Sequence, residues 1–266
     1  MLSLTVAARD AYIQMVSVIA VINQKGGVGK TTTAINLGAY LAKMGRSVLV
    51  VDLDPQGNAT SGLGLNKNTL DSTMYDVLFS TAEASATIRE THISGLNLLP
   101  ANPNLAAAEI DLASEDQREH KLKNALAHLT YDYILIDCPP ALGLLTINAL
   151  TAAKQVLIPV QAEYYALEGL GQLLDVIQRV RTNLNPNLEI LGLVVTMFDS
   201  RNSLAEQIVA ELQKHFGDKV LTTVIPRNVR LAEAPSYGKS IAEHDKWSKG
   251  ARAYKQLAKE VDKRLG

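Results

Sequence analysis

Cysteine is almost missing: the 266-residue chain has one, Cys138. A single thiol can close no disulfide within the chain and supply no Cys₄ metal site. A subunit-bridging iron–sulfur cluster that takes two cysteines from each chain is excluded as well. Cys138 reads as a small buried filler rather than a nucleophile. The five histidines show no i, i+4 pairing with one another and no ligand spacing. No apolar run approaches the roughly 18–20 residues of a membrane span. Neither charge sign dominates, the net value being −1. Residues 1–15 carry only Arg9 and Asp10 as charges and lack the basic start and apolar block of a secretion signal. Cytoplasmic residence is the expectation. Met15 stands directly before the first apolar run, so residues 1–14 read as an extension outside the fold.

What is present is ordinary globular composition, 47% hydrophobic and 20% charged. Apolar runs at 16–22, 47–51, 96–99, 133–137, 155–160, 190–197 and 220–225 read as strands. Helical patterns lie near 30–44, 104–112, 117–129, 143–153, 165–182, 203–216 and 250–264. The strands are continuously apolar rather than alternating, which means burial on both faces. The expected fold is α/β: a single doubly wound domain over 15–266, mostly parallel sheet with helices on both faces. Ligand loops belong at the carboxyl ends of its strands.

The first apolar run feeds Gln24-Lys25-Gly26-Gly27-Val28-Gly29-Lys30-Thr31-Thr32. Glycines let backbone N–H groups turn toward one centre, and the helix N-terminus that follows adds partial positive charge. Lys30 adds a full charge, and Thr31 offers a hydroxyl to Mg²⁺. The standard pattern asks for glycine at position 24, where Gln24 stands, and Lys25 is one lysine more than a single phosphate cradle needs. The loop resembles the deviant Walker A motif of the ParA/MinD/nitrogenase-iron-protein class. In that class such a lysine crosses a dimer interface to the partner's nucleotide.

Two further segments end strands. In Val51-Asp52-Leu53-Asp54-Pro55-Gln56, alternation along a strand puts Asp52 and Asp54 on one side, near the loop. One carboxylate could steady the loop or metal shell while the other orients an attacking water. Asp137, before Cys138-Pro139-Pro140, suits a Walker B role toward Mg²⁺.

Lys25 to Thr32, Val51-Asp-Leu-Asp-Pro-Gln-Gly-Asn-Ala-Thr-Ser-Gly, Asp137-Cys-Pro-Pro, Glu163-Tyr-Tyr-Ala-Leu-Glu-Gly and Ile225-Pro-Arg-Asn-Val-Arg-Leu-Ala-Glu-Ala-Pro together resemble the chromosomal ParA (Soj) partition ATPases. The resemblance covers about residues 15–266. It implies an ATP-bound sandwich homodimer that binds double-stranded DNA without sequence preference, at the nucleoid. Hydrolysis, stimulated by a ParB-type centromere-binding protein, then releases it. It also implies residue roles. Lys25 is the signature lysine, and Gly26, Gly27, Gly29, Lys30, Thr31 and Thr32 hold the phosphates of ATP. Lys25, Lys30 and Asp54 are catalytic, Asp54 activating the water, while Thr31, Asp52 and Asp137 serve Mg²⁺. Pro226 and Asn228 take the adenine, and Arg201 and Arg230 bind DNA.

Residues 200–266 carry 13 Lys/Arg against 8 Asp/Glu, and the rest of the chain 13 against 19. Arg201, Arg230, Lys246, Lys249, Arg252 and Lys255 fall in this basic quarter, read here as lacking aromatic interleaving. That pattern favours phosphate contact with duplex over base readout or single-strand stacking. The alternative is a MinD-like or other cargo-positioning ATPase acting on a membrane or protein. A MinD-like chain should end in an amphipathic membrane-targeting helix. The stripe Ala251, Tyr254, Leu257, Ala258, Val261 and Leu265 has small residues and one aromatic, as expected of a helix docked on its own domain, with no membrane partner. Relatives with another cargo adaptor would carry the same ATPase and DNA residues. Plasmid versions with a long N-terminal helix-turn-helix domain are not expected, because residues 1–15 leave no room for one.

Overall fold

The computed structural model describes residues 16–163 and 166–266. The expected extension, 1–14, lies outside the described residues. Seven strands form one sheet: β1 (Ser17–Val21), β2 (Val48–Asp52), β3 (Arg89–Glu90), β4 (Leu96–Leu99), β5 (Tyr133–Asp137), β6 (Gln155–Gln161) and β7 (Glu189–Thr196). Their spatial order is β3-β4-β2-β5-β1-β6-β7, and every pairing is parallel except β3 with β4. β2 and β5 are buried at every residue, which is why they read as unbroken apolar runs.

Alternate residues of each strand feed two cores. Leu49, Val51, Ile134 and Ile136 face one side with Leu145 and Leu150 of α3 (Leu144–Ala152), Leu173 and Ile177 of α4 (Ala166–Asn183) and Leu212 of α5 (Ser203–Phe216). Val48, Val50 and Leu135 face the other. There they meet Leu37 and Leu41 of α1 (Lys30–Lys43) and Tyr254, Leu257 and Val261 of α7 (Lys249–Leu265). The stripe of α7 is therefore occupied within its own domain, packed against α1 in this second core. Tyr254 seals it with a 3.1 Å hydrogen bond to the Thr33 hydroxyl of α1.

Strand order reverses around β1, which lies between β5 and β6. A crevice opens beyond the strand ends at such a point. The register sets Asp137 beside both Val21 and Asp52 there.

The expected strand at 220–225 does not form. Only isolated bridges tie this stretch to its surroundings, Leu193 with Val220 and Phe198 with Pro226. The Thr222 and Thr223 N–H groups instead donate to the Glu260 carboxylate of α7, at 2.8 and 2.9 Å. The helix expected near 104–112 is broken into a 3₁₀ turn Pro103–Ala107, a short helix Ala108–Asp111 and a second 3₁₀ turn. That near 117–129 shrinks to Lys121–Leu126. Strand β3 and the short helices α2 (Asn58–Gly62) and α6 (Val229–Glu233) were not expected.

Candidate functional site

Gly27 and Gly29 have φ of 76° and 89°, so the loop after β1 takes a left-handed path that L side chains rarely adopt. Gly29 is the N-cap of α1 and offers no side chain, which leaves the first N–H groups of the helix aimed into the loop. The loop is anchored twice. Asn23 accepts from the Lys25 N–H at 3.0 Å and donates to the Pro159 carbonyl at 2.8 Å. Thr196, at the end of β7, donates to the Val28 carbonyl at 2.8 Å. Lys30 is buried, and its ammonium donates to the Lys25 carbonyl at 3.2 Å across the loop. Burial pulls its pKa down, while Asp137, Cys138 and Asp54 push it back up.

The three acids differ. Asp52 is buried, and its carboxylate already has protein donors. Oδ2 accepts from the Thr60 N–H and hydroxyl, both at 2.7 Å, and Oδ1 from the Asp54 N–H at 3.2 Å. Asp52 thus holds the turn that enters α2, a segment other than the phosphate loop it was expected to steady, and both of its oxygens already have protein donors. Burial pushes its pKa up to about 6 against the pull of Thr60. Asp54 is nearly buried, and its Oδ1 accepts from the Gln56 N–H at 2.9 Å.

Asp137 is fully buried, and neither carboxylate oxygen has a hydrogen-bond partner among the described residues. Burial first, and the Asp52 carboxylate second, hold its pKa well above the usual range, with Thr31 and Lys30 acting in the opposite direction. A buried carboxylate left unpaired is costly. One placed beside a lysine and a threonine hydroxyl at a helix start fits a hydrated divalent cation. No group of three His, Cys, Asp or Glu side chains placed to hold a metal ion occurs among the described residues. The oxygen-only set of Thr31 and Asp137 therefore suits Mg²⁺, which keeps waters and substrate oxygens in its shell. Past Asp137 the chain enters α3, where Glu109 accepts from the Leu144 and Leu145 N–H groups at 2.8 and 3.2 Å. Cys138 is a buried filler, its thiol pushed up by burial and by Asp137.

Beside the loop lies a cavity of about 330 Å³ lined by Gly29, Thr32, Pro226, Asn228, Leu231 and Tyr254 among others. It is mostly apolar, as an adenine site requires. Asn228 lines it and also caps α6, its Oδ1 accepting from the Arg230 N–H at 2.9 Å. Met197, at φ 51°, brings the chain from β7 into the cavity wall.

The remaining residues lie outside this crevice. The Lys25 ammonium is 2.8 Å from Glu163 of its own chain, with both side chains nearly half exposed. Arg201 and Arg230 are exposed and paired with carboxylates, Arg201 with Asp199 at 2.7 Å and Arg230 with Glu233 at 2.8 Å. Arg201, Arg227 and Lys249 line one cleft of about 320 Å³. Reading the sequence missed Thr60, Glu109, Glu163, Thr196, Met197 and Arg227. Thr60, Glu163 and Arg227 had a signal, lying inside motifs already singled out. The reading that the basic quarter has no interleaved aromatic is corrected: Trp247 stands between Lys246 and Lys249 and is 79% exposed.

A glycine-rich loop between a central parallel strand and a helix, with strand-end acids beside it, defines a P-loop nucleotide-binding protein. A family model described as an AAA domain matches residues 16–190. The chain is 55% identical to the sporulation initiation inhibitor protein Soj of Bacillus subtilis over 93% of its length and 98% of that protein's. It is 51% identical to the chromosome partitioning protein ParA of Caulobacter vibrioides, covering 92% of this chain and 93% of that one. The chain belongs to the Soj/ParA family of chromosome-partitioning ATPases. Among solved structures, a Mycobacterium smegmatis protein named cobyrinic acid a,c-diamide synthase, with an ATP analogue and magnesium bound, is similar. The TM-score is 0.81 and the identity 42%, covering 92% of this chain and 93% of that one. No helix of the described residues is long and apolar enough to cross a membrane.

Proposed function

We propose that residues 15–266 form one ATPase unit that binds ATP with Mg²⁺, pairs with a second copy through Lys25 and then holds duplex DNA without sequence preference at the nucleoid. A ParB-type protein would stimulate hydrolysis and so release it. The observation that carries the ATPase reading is Asp137, buried and unpaired at the end of β5 beside Lys30. Asp137 and Thr31 would hold the cation, which supplies charge to the β- and γ-phosphate oxygens. Gly26, Gly27, Gly29 and Thr32 wrap the phosphates with backbone N–H groups, and Lys30 adds its ammonium. Asp54 has one oxygen held by the Gln56 N–H, leaving Oδ2 to orient water and take its proton. Pro226 and Asn228 cover the adenine, and Arg201 and Arg230 take DNA phosphates. The relatives' names support the chromosomal cargo.

The test is Asp54→Ala. The variant should bind ATP, dimerise and stay on DNA, with single-turnover hydrolysis slowed about 10²–10⁴-fold. A wild-type rate in the variant would remove Asp54 from this role.

A further inference from the structure

Three large hydrophobic side chains are exposed on the segment that carries Arg230: Val229 at 66%, Tyr237 at 66% and Trp247 at 79%. Trp247 contributes little to the core, yet the backbone that carries it is held by hydrogen bonds on both sides. Its backbone N–H donates to Asp245 Oδ1 at 3.1 Å, and the other oxygen of that carboxylate is 3.8 Å from Arg230 Nε. The next residue, Ser248, caps α7 by accepting from the Ala251 N–H at 3.1 Å. The Lys246 ammonium sits 5.2 Å from the centre of the indole, a cation–π arrangement that keeps charge and ring together. An exposed ring on a backbone tied to the carboxylate that also lies near a guanidinium, with lysines on either side, is placed to meet a surface that is apolar in strips and anionic at its edges.

We propose that Trp247 is an aromatic contact to duplex DNA, its indole lying against sugars and base edges in a groove while Lys246 and Lys249 take the flanking phosphates. The inference rests on the reading of this face as the DNA-binding surface. Duplex is favoured over a single strand because a single-strand platform presents successive rings. Here the other exposed ring, Tyr237, is stacked on His244 at a centroid distance of 4.9 Å. It is favoured over a lipid surface because the apolar stripe of α7, the element a membrane would need, is buried in the core of its own domain against α1.

The chain has one tryptophan, so its emission reports on this ring alone. The test uses the wild-type chain with Mg²⁺ and a non-hydrolysable ATP analogue, titrated with a mixed-sequence 30-base-pair duplex, with dT₃₀ and with phosphatidylglycerol vesicles. The duplex should shift and quench the emission. Trp247→Ala should lower duplex affinity about fivefold per ring, hence about 25-fold for a dimer using both. Trp247→Phe should recover most of that loss. The slope of log affinity against log salt should not change, because no ionic contact is removed. Duplex binding by anisotropy with unchanged emission and an unaffected alanine variant would overturn the inference and leave the DNA reading standing. No duplex binding at low salt would overturn both. An emission change with dT₃₀ or vesicles but not with duplex would overturn the inference and assign the ring to that surface instead.

Discussion

Replacing Thr60 by alanine should be among the most damaging single changes near the site, although Thr60 touches no phosphate. The residue is fully buried and joins three segments. Its hydroxyl donates to Asp52 Oδ2 at 2.7 Å and accepts from the Ala101 N–H at 2.9 Å. Alanine keeps the backbone bond from the residue 60 N–H to Asp52 but deletes both others. Losing a hydrogen bond to a charged group costs about 1.5–3 kcal/mol, and an orphaned buried N–H about 1–3 kcal/mol. With partial relaxation, roughly 3 kcal/mol is the expected total. At about 2–4 °C per kcal/mol for a chain of this size class, the melting temperature should fall by roughly 6–12 °C. Thr60→Val keeps the volume and loses only the hydroxyl, so it should melt near the alanine variant. Thr60→Ser keeps the hydroxyl and loses one methyl, a cost of about 0.8 kcal/mol. Thermal unfolding by circular dichroism, repeated with urea, compares the three. An alanine variant melting within about 2 °C of wild type, or a serine variant as weak as alanine, would refute the view that Asp52 organises this loop through Thr60.

Lys25→Ala should keep its melting temperature within about 1 °C, because the half-exposed pair with Glu163 is worth little; light scattering with ATP and Mg²⁺ should nonetheless show no stable dimer. Arg230→Ala should weaken binding to two unrelated duplexes alike and flatten the salt plot by about 0.9 per lost contact, read by filter binding at several salt concentrations. Asp262 accepts from Arg46 at 2.9 and 3.1 Å and from the Tyr133 hydroxyl at 2.7 Å, and Arg46 holds its pKa below the usual value. A depressed folded pKa gives stability that is present above the unfolded value near 3.8 and lost as pH falls through the folded one. Asp262→Asn should therefore be less stable than wild type at pH 7, with the gap closing below about pH 4; a gap that stays constant to pH 2.5 would place the effect in packing instead.

The parts of this protein that a reader of the sequence can find are those whose chemistry is local. The phosphate loop is one continuous stretch, and two of its glycines, Gly27 and Gly29, sit where the backbone needs positive φ. The parallel strands announce themselves by burial on both faces. What stayed hidden depends on side chains brought in from far along the chain. Val-Leu-Thr-Thr-Val-Ile at 220–225 has the composition of a strand, but Glu260 takes its N–H groups. Glu109 reaches the N-terminus of α3 across 35 residues of chain. Helices of five residues, such as α2, are too short for any periodicity to show. Trp247 was visible in the sequence, but its exposure was not, and exposure is what turns an aromatic among lysines into a candidate contact.

The geometry also links the proposed nucleotide site to the proposed DNA face through one stretch of chain. Asn228 lines the apolar cavity and at the same time caps α6, accepting from the N–H of Arg230. Anything that draws the Asn228 side chain toward a base in the cavity weakens that cap, which typically contributes about 1 kcal/mol. Arg230, two residues on, is held by Glu233 and lies near Asp245, and Asp245 in turn holds the Trp247 loop. Tyr254 also lines the cavity and is bonded to Thr33 of the helix that starts at the phosphate loop. A base in this cavity would thus touch both the helix that begins at the phosphates and the segment that presents Arg230 and Trp247. A shift of about 1 kcal/mol at the cap changes the population of a two-state arrangement about fivefold. That is enough to bias Arg230 toward or away from Glu233. A second copy, binding the same polyanion, would square the effect.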